Sequence, residues 1–205
     1  MSRYPQKGDL GSDNSPSWLN GVVFVTGNRQ KLIEARRLCG FDLASVEVEL
    51  PEIQSLDILK VLSYKADEAT RHVTGPFIVE ETGLELDAMN GFPGALVKWM
   101  LDSIGVEAIA RIVESLGNDR ATARCGLLLR DGDRLVIAEG STSGRMVLPA
   151  RGENGFGWDP VFIPDGETRT YAELCPSDKD RLSHRGRAWR QLSRELASAQ
   201  SDTAS

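Results

Sequence analysis

The chain has 205 residues, 40% of them apolar and 26% charged, and its 30 acidic side chains against 24 basic ones leave a formal net charge of −6. This is enough chain for one domain with a sizeable core, and the ordinary soluble composition excludes fibrous and disordered classes. The acidic balance argues against a surface for long nucleic acid, while a small phosphorylated ligand stays compatible with local cationic clusters.

Residues 1–19 are rich in Ser, Gly, Pro, Asp and Asn and read as a disordered leader, and 198–205 as a similar tail, leaving 20–197 as a single folded domain. Val22-Val23-Phe24-Val25 is short, apolar and β-branched, which predicts a buried strand entering a loop at Thr26-Gly27-Asn28. Leu32, Ile33, Ala35, Arg36 and Leu38 follow at helical spacing as far as Gly40, a natural stop. Alternation at Val46, Val48 and Leu50 predicts a second strand, and apolar residues at 58, 59, 62, 66, 69 and 73 predict a helix over 58–73. Phe77-Ile78-Val79 predicts a third strand running into Glu80-Glu81-Thr82-Gly83. After Gly91-Phe92-Pro93-Gly94, amphipathic helices fit 95–104 and 106–116, divided by Gly105. Residues 121–130 and 133–140 flank Asp131-Gly132 and predict an antiparallel hairpin on a type I′ turn. Asp159 to Ile163 predicts a short strand between prolines, and 183–197 a closing helix. The sum is a mixed α/β protein with a long mixed sheet flanked by helices. Cys39, Cys125 and Cys175 are odd in number and lack CxxC spacing, so a disulfide framework is not indicated and a cytoplasmic location fits best. No stretch nears the roughly 18 apolar residues of a membrane helix, and the N-terminus lacks a signal peptide's apolar core.

Three clusters carry chemistry. The loop Thr26-Gly27-Asn28-Arg29-Gln30-Lys31 joins a strand to a helix start, where backbone N–H groups and the helix dipole favour an anion. It lacks the glycines of a Walker loop or a dinucleotide fingerprint. Glu52 and the pair Glu80-Glu81 are carboxylates suited to Mg²⁺ and, through it, to phosphoryl chemistry. The densest cluster is Arg151-Gly152-Glu153-Asn154-Gly155-Phe156-Gly157-Trp158-Asp159-Pro160, a glycine-spaced loop presenting two aromatic rings to stack on a planar base. Lys179 and Ser183-His184-Arg185 add donors downstream, Arg185 for a carbonyl oxygen and Lys179 for a phosphate or base edge. Isolated His72 reads as surface.

Taken in order, these blocks resemble the inosine/xanthosine triphosphate pyrophosphatase family, enzymes that remove non-standard purine nucleotides. The resemblance runs from about Val22 to Leu196. It rests on Thr26-Gly27-Asn28 with Lys31, Leu50-Pro51-Glu52-Ile53-Gln54, Val79-Glu80-Glu81-Thr82-Gly83-Leu84, Gly91-Phe92-Pro93-Gly94, Thr142-Ser143-Gly144-Arg145, Phe156-Gly157-Trp158-Asp159-Pro160, Thr170-Tyr171-Ala172-Glu173 and Ser183-His184-Arg185-Gly186. It implies an elongated, two-lobed α/β fold with a central nucleotide cleft, usually in a homodimer. It further implies that Thr26, Asn28, Lys31 and Lys65 hold the triphosphate and that Glu52 and Glu81 form the metal site, Glu81 also being catalytic. Phe156 and Trp158 would line the base pocket, and Asp159, Lys179, His184 and Arg185 would recognise a 6-keto purine. The implied reaction is Mg²⁺-dependent attack of water on the α-phosphorus, giving a nucleoside monophosphate and pyrophosphate. One departure stands out: the family typically has Asp where this chain has Glu81. That substitution keeps two alternatives open, a pyrophosphatase for a specialised biosynthetic nucleotide and a nucleotide-binding relative with impaired turnover.

Overall fold

The computed structural model describes residues 21–40 and 42–203, with side chains as far as Ser198. The leader expected over 1–19 lies outside the described residues. The first strand, β1 (Val23–Val25), leads through the expected loop into α1 (Arg29–Cys39), and Gly40 ends the helix as its sequence position predicts. β2 (Ala44–Val46) pairs with β1 in parallel and stops short of the predicted alternation at Val48 and Leu50. The reason is on its partner: β1 turns away after Val25, and the last bond across, from the Thr26 N–H to the Val46 carbonyl, leaves nothing for Val48 to pair with. α2 (Ile58–Ala69) follows, then β3 (Phe77–Leu86), parallel to β1 and on its other side.

The chain therefore leaves β1 to one neighbour and returns to the other. α1 packs on one face of the sheet with Phe24, Ile78 and Leu127, while α2 packs on the opposite face with Val25, Val79 and Leu128. A sheet wound both ways from one strand opens a crevice at that strand's carboxyl end, where α/β proteins bind ligands.

β3 is ten residues long, not the three-residue apolar run that the sequence predicts, because β5 (Arg120–Asp131) pairs with it antiparallel from Phe77↔Arg130 to Leu86↔Ala121. Glu80 and Glu81 are thus in mid-strand, beyond the end of β1. The hairpin partner β6 (Arg134–Met146) extends the sheet, and β7 (Phe162–Pro164) closes the order β2-β1-β3-β5-β6-β7, with the short β4 (Pro93–Gly94) on β3. The hairpin's central residues are Gly132 and Asp133, since Asp131 pairs with Arg134. Gly132 has φ +59°, and among the described non-glycine residues Asn90 alone has positive φ. A type I′ turn needs positive φ at both centres, so the predicted turn is corrected to one with glycine first, as type II′ requires.

The far halves of β3, β5 and β6 carry a second core, in which Leu84, Ala123 and Met146 meet α4 (Val106–Ser115) and Phe162. Helix α3 (Val97–Ile104) precedes it, divided from it at Gly105 as expected. The strand predicted over 159–163 is instead a 3-10 turn, Asp159–Val161, followed by β7, because Pro160 offers no ladder N–H and suits the first turn of a helix. Sequence reading also missed α5 (Pro176–Leu182), which leads into α6 (His184–Thr203). α6 continues six residues into the stretch read as a tail. Among the described residues no helix is long and apolar enough to cross a membrane.

Candidate nucleotide site

A cleft of about 710 Å³ opens at the carboxyl end of β1, lined by the 25–31 loop, the 47–52 segment, Lys65 and residues 80–82. Val97, Lys98 and Leu101 of α3 and Phe156–Trp158 form its other side. In the entry loop, Asn28 caps α1: its Oδ1 accepts the N–H groups of Gln30 at 2.9 Å and Lys31 at 3.1 Å, and Thr26 Oγ1 accepts the Asn28 N–H at 3.1 Å. The cap consumes two of the N–H groups that an anion was expected to meet. The Asn28 side-chain NH₂, Lys31 and the positive end of the α1 dipole are what the loop still offers an anion.

Alternation along β3 sends its two glutamates to opposite faces. Glu81, on the α2 face, accepts the Lys65 ammonium on Oε2 at 2.9 Å and the Thr82 N–H on Oε1 at 2.9 Å. Lys65 also donates to Glu52 Oε1 at 3.0 Å and to the Glu80 carbonyl at 3.3 Å. It reaches them because Ile58, Leu62 and Ala66 pack α2 onto the sheet and Lys65 shares that stripe, seven residues after Ile58. Burial alone would raise the pKa of Glu81, but Lys31 and Lys65, with the bonds from Lys65 and Thr82, hold it below the ordinary carboxylate range. Glu81 is therefore ionised at neutral pH.

Glu80, on the α1 and α6 face, enters a buried chain of charges. Arg185 donates to it through Nε at 3.1 Å and Nη2 at 3.0 Å, and through Nη1 to Glu34. Glu34 accepts Lys179 Nζ at 2.7 Å, and Lys179 also reaches Asp159 at 2.6 Å. Lys31 completes the set, 3.6 Å from Glu80. Three carboxylates thus face three cations. Two close approaches bring the chain together: a Cβ on Gly140 would stand 2.1 Å from the His184 carbonyl, so only glycine lets the start of α6 lie on β6, and one on Gly155 would strike Asp159 Oδ2 at 2.0 Å. Burial pushes Asp159 up despite Lys179, whereas Glu34, also raised by burial, ends below its usual value through Arg185 and Lys179.

An aromatic lid covers these charges. The Phe156 ring lies over Lys179 Nζ at 5.2 Å and the Arg185 guanidinium at 5.3 Å. His184 stacks on Trp158 and Tyr171 with ring centroids 6.0 Å apart. Both His184 ring nitrogens are buried without a partner, and burial followed by the charge of Arg185 keeps the imidazole neutral by lowering its pKa far below the usual value.

Of the residues predicted from sequence, Thr26, Asn28, Lys31, Glu52, Lys65, Glu81, Phe156 and Trp158 line the cleft together. Asp159, Lys179, His184 and Arg185 lie beneath Phe156 and Trp158 and are buried. His72 is exposed, as expected. Sequence reading missed Glu34, a carboxylate on the buried side of α1, while Ile33, counted in the apolar stripe, is 44% exposed. The available signal was position: Glu34 follows Lys31 by three residues, on the same helical face. Also missed was Lys98, whose Nζ stands 3.4 Å from Glu49 across the cleft mouth.

Among the described residues no group of three or more His, Cys, Asp or Glu side chains gathers as a metal site. The pair Glu52 and Glu81 nevertheless suits a hard ion: both are oxygen donors already directed at one cation, Lys65, and Mg²⁺ is commonly held by one or two carboxylates plus substrate phosphates.

A doubly wound crevice with a capped helix start, paired carboxylates and an aromatic-covered floor of buried ion pairs defines an α/β protein suited to a phosphorylated planar ligand. The Ham1 family model matches residues 22–195, and the chain belongs to that family. It is 39% identical over 171 residues to the inosine triphosphate pyrophosphatase of Schizosaccharomyces pombe, covering 82% of this chain and 90% of that protein. It is 36% identical over 178 residues to the dITP/XTP pyrophosphatase of Thermococcus kodakarensis, covering 85% and 96%. Among solved structures, a HAM1 protein from Coxiella burnetii superposes with a TM-score of 0.72 at 26% identity, covering 86% of this chain and 98% of that one. The dITP/XTP pyrophosphatase of Mycobacterium abscessus gives 0.64 at 30% identity, covering 83% and 98%.

Proposed function

We infer that this protein is a nucleoside triphosphate pyrophosphatase acting on non-standard purine nucleotides such as ITP, XTP and dITP. The observation that carries the reading is the convergence on one cleft of an anion loop, a carboxylate pair and an aromatic floor over buried ion pairs. The names of the relatives above, inosine triphosphate and dITP/XTP pyrophosphatase, support the substrate class. Lys31, Lys65 and the Asn28 NH₂ bind the phosphates at the head of α1, and the base stacks on Phe156. The buried chain beneath supplies a donor for a purine O6, Lys179 or Arg185, once the Phe156 ring shifts and that cation gives up a carboxylate partner. Adenine carries an amino group at that position and would leave the donor unpaired, at about 1–3 kcal/mol.

Glu81 orients the attacking water and accepts its proton on a carboxylate oxygen as that water adds to the α-phosphorus. The bond to the bridging oxygen then breaks, and the products are a nucleoside monophosphate and pyrophosphate. Glu52 and Glu81 would hold Mg²⁺, which when bound neutralises phosphate charge and lowers the pKa of water. The homodimer and the cytoplasmic location belong to the same reading. Light scattering tests the first, and a monomer mass at micromolar concentration overturns it.

The deciding experiment is product chromatography after incubation with ITP, XTP, dITP and ATP in the presence of Mg²⁺. The expected products are monophosphate and pyrophosphate, with ATP turned over poorly. Release of orthophosphate and a diphosphate, or equal turnover of ATP and ITP, rejects the assignment.

A further inference from the structure

Resting on that reading, we propose that Lys65 is an internal counter-cation that keeps Glu52 and Glu81 from holding a divalent ion until a triphosphate arrives. Metal and nucleotide then bind as a coupled pair.

An ammonium has three N–H groups. The fold gives Lys65 three acceptors: Glu52 Oε1 at 3.0 Å, Glu81 Oε2 at 2.9 Å and the Glu80 carbonyl at 3.3 Å. The remaining oxygen of Glu81 is taken by the Thr82 N–H at 2.9 Å. Both oxygens of Glu81 are therefore engaged, and a like charge already sits between the two carboxylates. Lys65 and Glu81 expose only 12% and 6% of their side chains, so solvent and salt screen that repulsion little.

A hard divalent ion has a second handicap here. Two carboxylates alone leave most of its coordination to water, and the remaining oxygens come normally from substrate phosphates. A triphosphate removes both obstacles. Its oxygens accept Lys65 as strongly as a carboxylate does, and the flexible four-carbon stem of a lysine permits the exchange without moving α2. The carboxylate oxygens so released face the ion that the phosphates carry. Each ligand prepares the site for the other, and such coupling is reciprocal.

The test is equilibrium dialysis of Mn²⁺ alone against the full chain and its Lys65 variants. Wild type should hold Mn²⁺ weakly. Lys65→Met should hold it about tenfold tighter or more, and Mn²⁺ alone should raise the melting temperature of this variant but not of wild type. Lys65→Arg, which keeps the charge, should stay as weak as wild type. Lys65→Gln repeats the neutral case if the methionine variant does not fold. Adding the α,β-methylene analogue of ITP should raise protein-held Mn²⁺ by a larger factor in wild type than in the neutral variants. Equal Mn²⁺ affinity in wild type and the neutral variants, or an equal gain from the analogue, overturns the proposal. Pyrophosphate release from ITP by wild type is measured alongside. Its absence rejects the pyrophosphatase reading, whereas its presence together with equal Mn²⁺ affinities rejects the counter-cation alone.

Discussion

Glu80 and Glu81 are neighbours in sequence and belong to two different devices. Glu80 is locked to Arg185 and, through Glu34, to Lys179 and Asp159, all buried. Glu81 shares Lys65 with Glu52, whose side chain is 25% exposed at the open side of the cleft. The first set is closed on itself, every charge answered by protein, so it fixes geometry, and its donors reach a base only by giving up a carboxylate partner. The second has Lys65 shared between two carboxylates and opens to solvent at Glu52, so it is the part able to exchange partners when a ligand comes. One β-strand, by pointing consecutive side chains to opposite faces, separates the two charge sets, which the proposed function assigns to recognition and to chemistry.

If that division is correct, substitutions on the two faces fail differently. The largest effect should come from Glu81→Gln, with turnover of ITP falling by roughly 10²–10⁴-fold, the range of a lost general base. Nucleotide affinity measured without a divalent ion should hold, the signature of an interaction made in the transition state. Steady-state kinetics beside calorimetric binding of a slow analogue checks this. Normal turnover would remove Glu81 from the catalytic role. Glu81→Asp then asks whether the extra methylene is fitted to Lys65 and Thr82: a loss of rate means the site is built around glutamate, a gain that it is not.

Arg185→Ala should act on the other face and on stability. It leaves Glu34 and Glu80 buried without their main partner, and breaking such a pair costs about 3–5 kcal/mol. Urea unfolding measures it, and the melting temperature should fall much further than in Glu81→Gln. Whatever folded protein remains should discriminate less between ITP and ATP.

A smaller loss is expected from Phe156→Ala, about 1–3 kcal/mol in nucleotide affinity, the worth of one stacked base. KM should rise with kcat nearly unchanged. The charge chain also sets a pH dependence. Glu34 is held below its ordinary 4.5 when folded, so it binds fewer protons folded than unfolded. Its contribution is complete above 4.5 and is lost as pH falls through that value and below. Asp159, raised by burial from 3.8, works in the opposite sense. Urea midpoints measured down the acid range should decline less steeply in Glu34→Gln than in wild type. Least of all should come from Lys98→Ala, because the exposed pair with Glu49 is worth about 0–1 kcal/mol to folding. A stability loss well above that, seen in the same urea titration, would show that the cleft mouth is braced.

Much of the framework was legible in the sequence because it rests on local rules. The apolar run at 22–25, the helical stripes of α1 and α2, the break at Gly105 and the paired runs around Gly132 each announce their element through periodicity and turn residues. The ordered blocks also identified eight of the side chains that line the cleft. Strand length was not legible. β3 runs through Glu80 and Glu81 since ten residues of β5 pair with it, and β2 stops at Val46 for want of a partner, neither of which a hydrophobic pattern records. The 3-10 turn at Asp159–Val161 was missed for a related reason: a proline that bounds a strand and a proline that opens a turn look alike until the ladder is seen.

What the sequence determined by itself was therefore the class of fold, the order of its elements and the chemical inventory of the cleft, since these follow from spacing along one chain. Only the tertiary structure decided how the charges are shared. Glu34 and Arg185 are 151 residues apart in sequence, and nothing local in either predicts that they meet under Phe156. Electrostatic energy depends on distance and on exclusion of water, and both are set by packing: by Gly140 admitting the start of α6 and by α2 lying along β3. That is why the residues of the site were readable from the chain, while their division into a closed set and an exchangeable one was not.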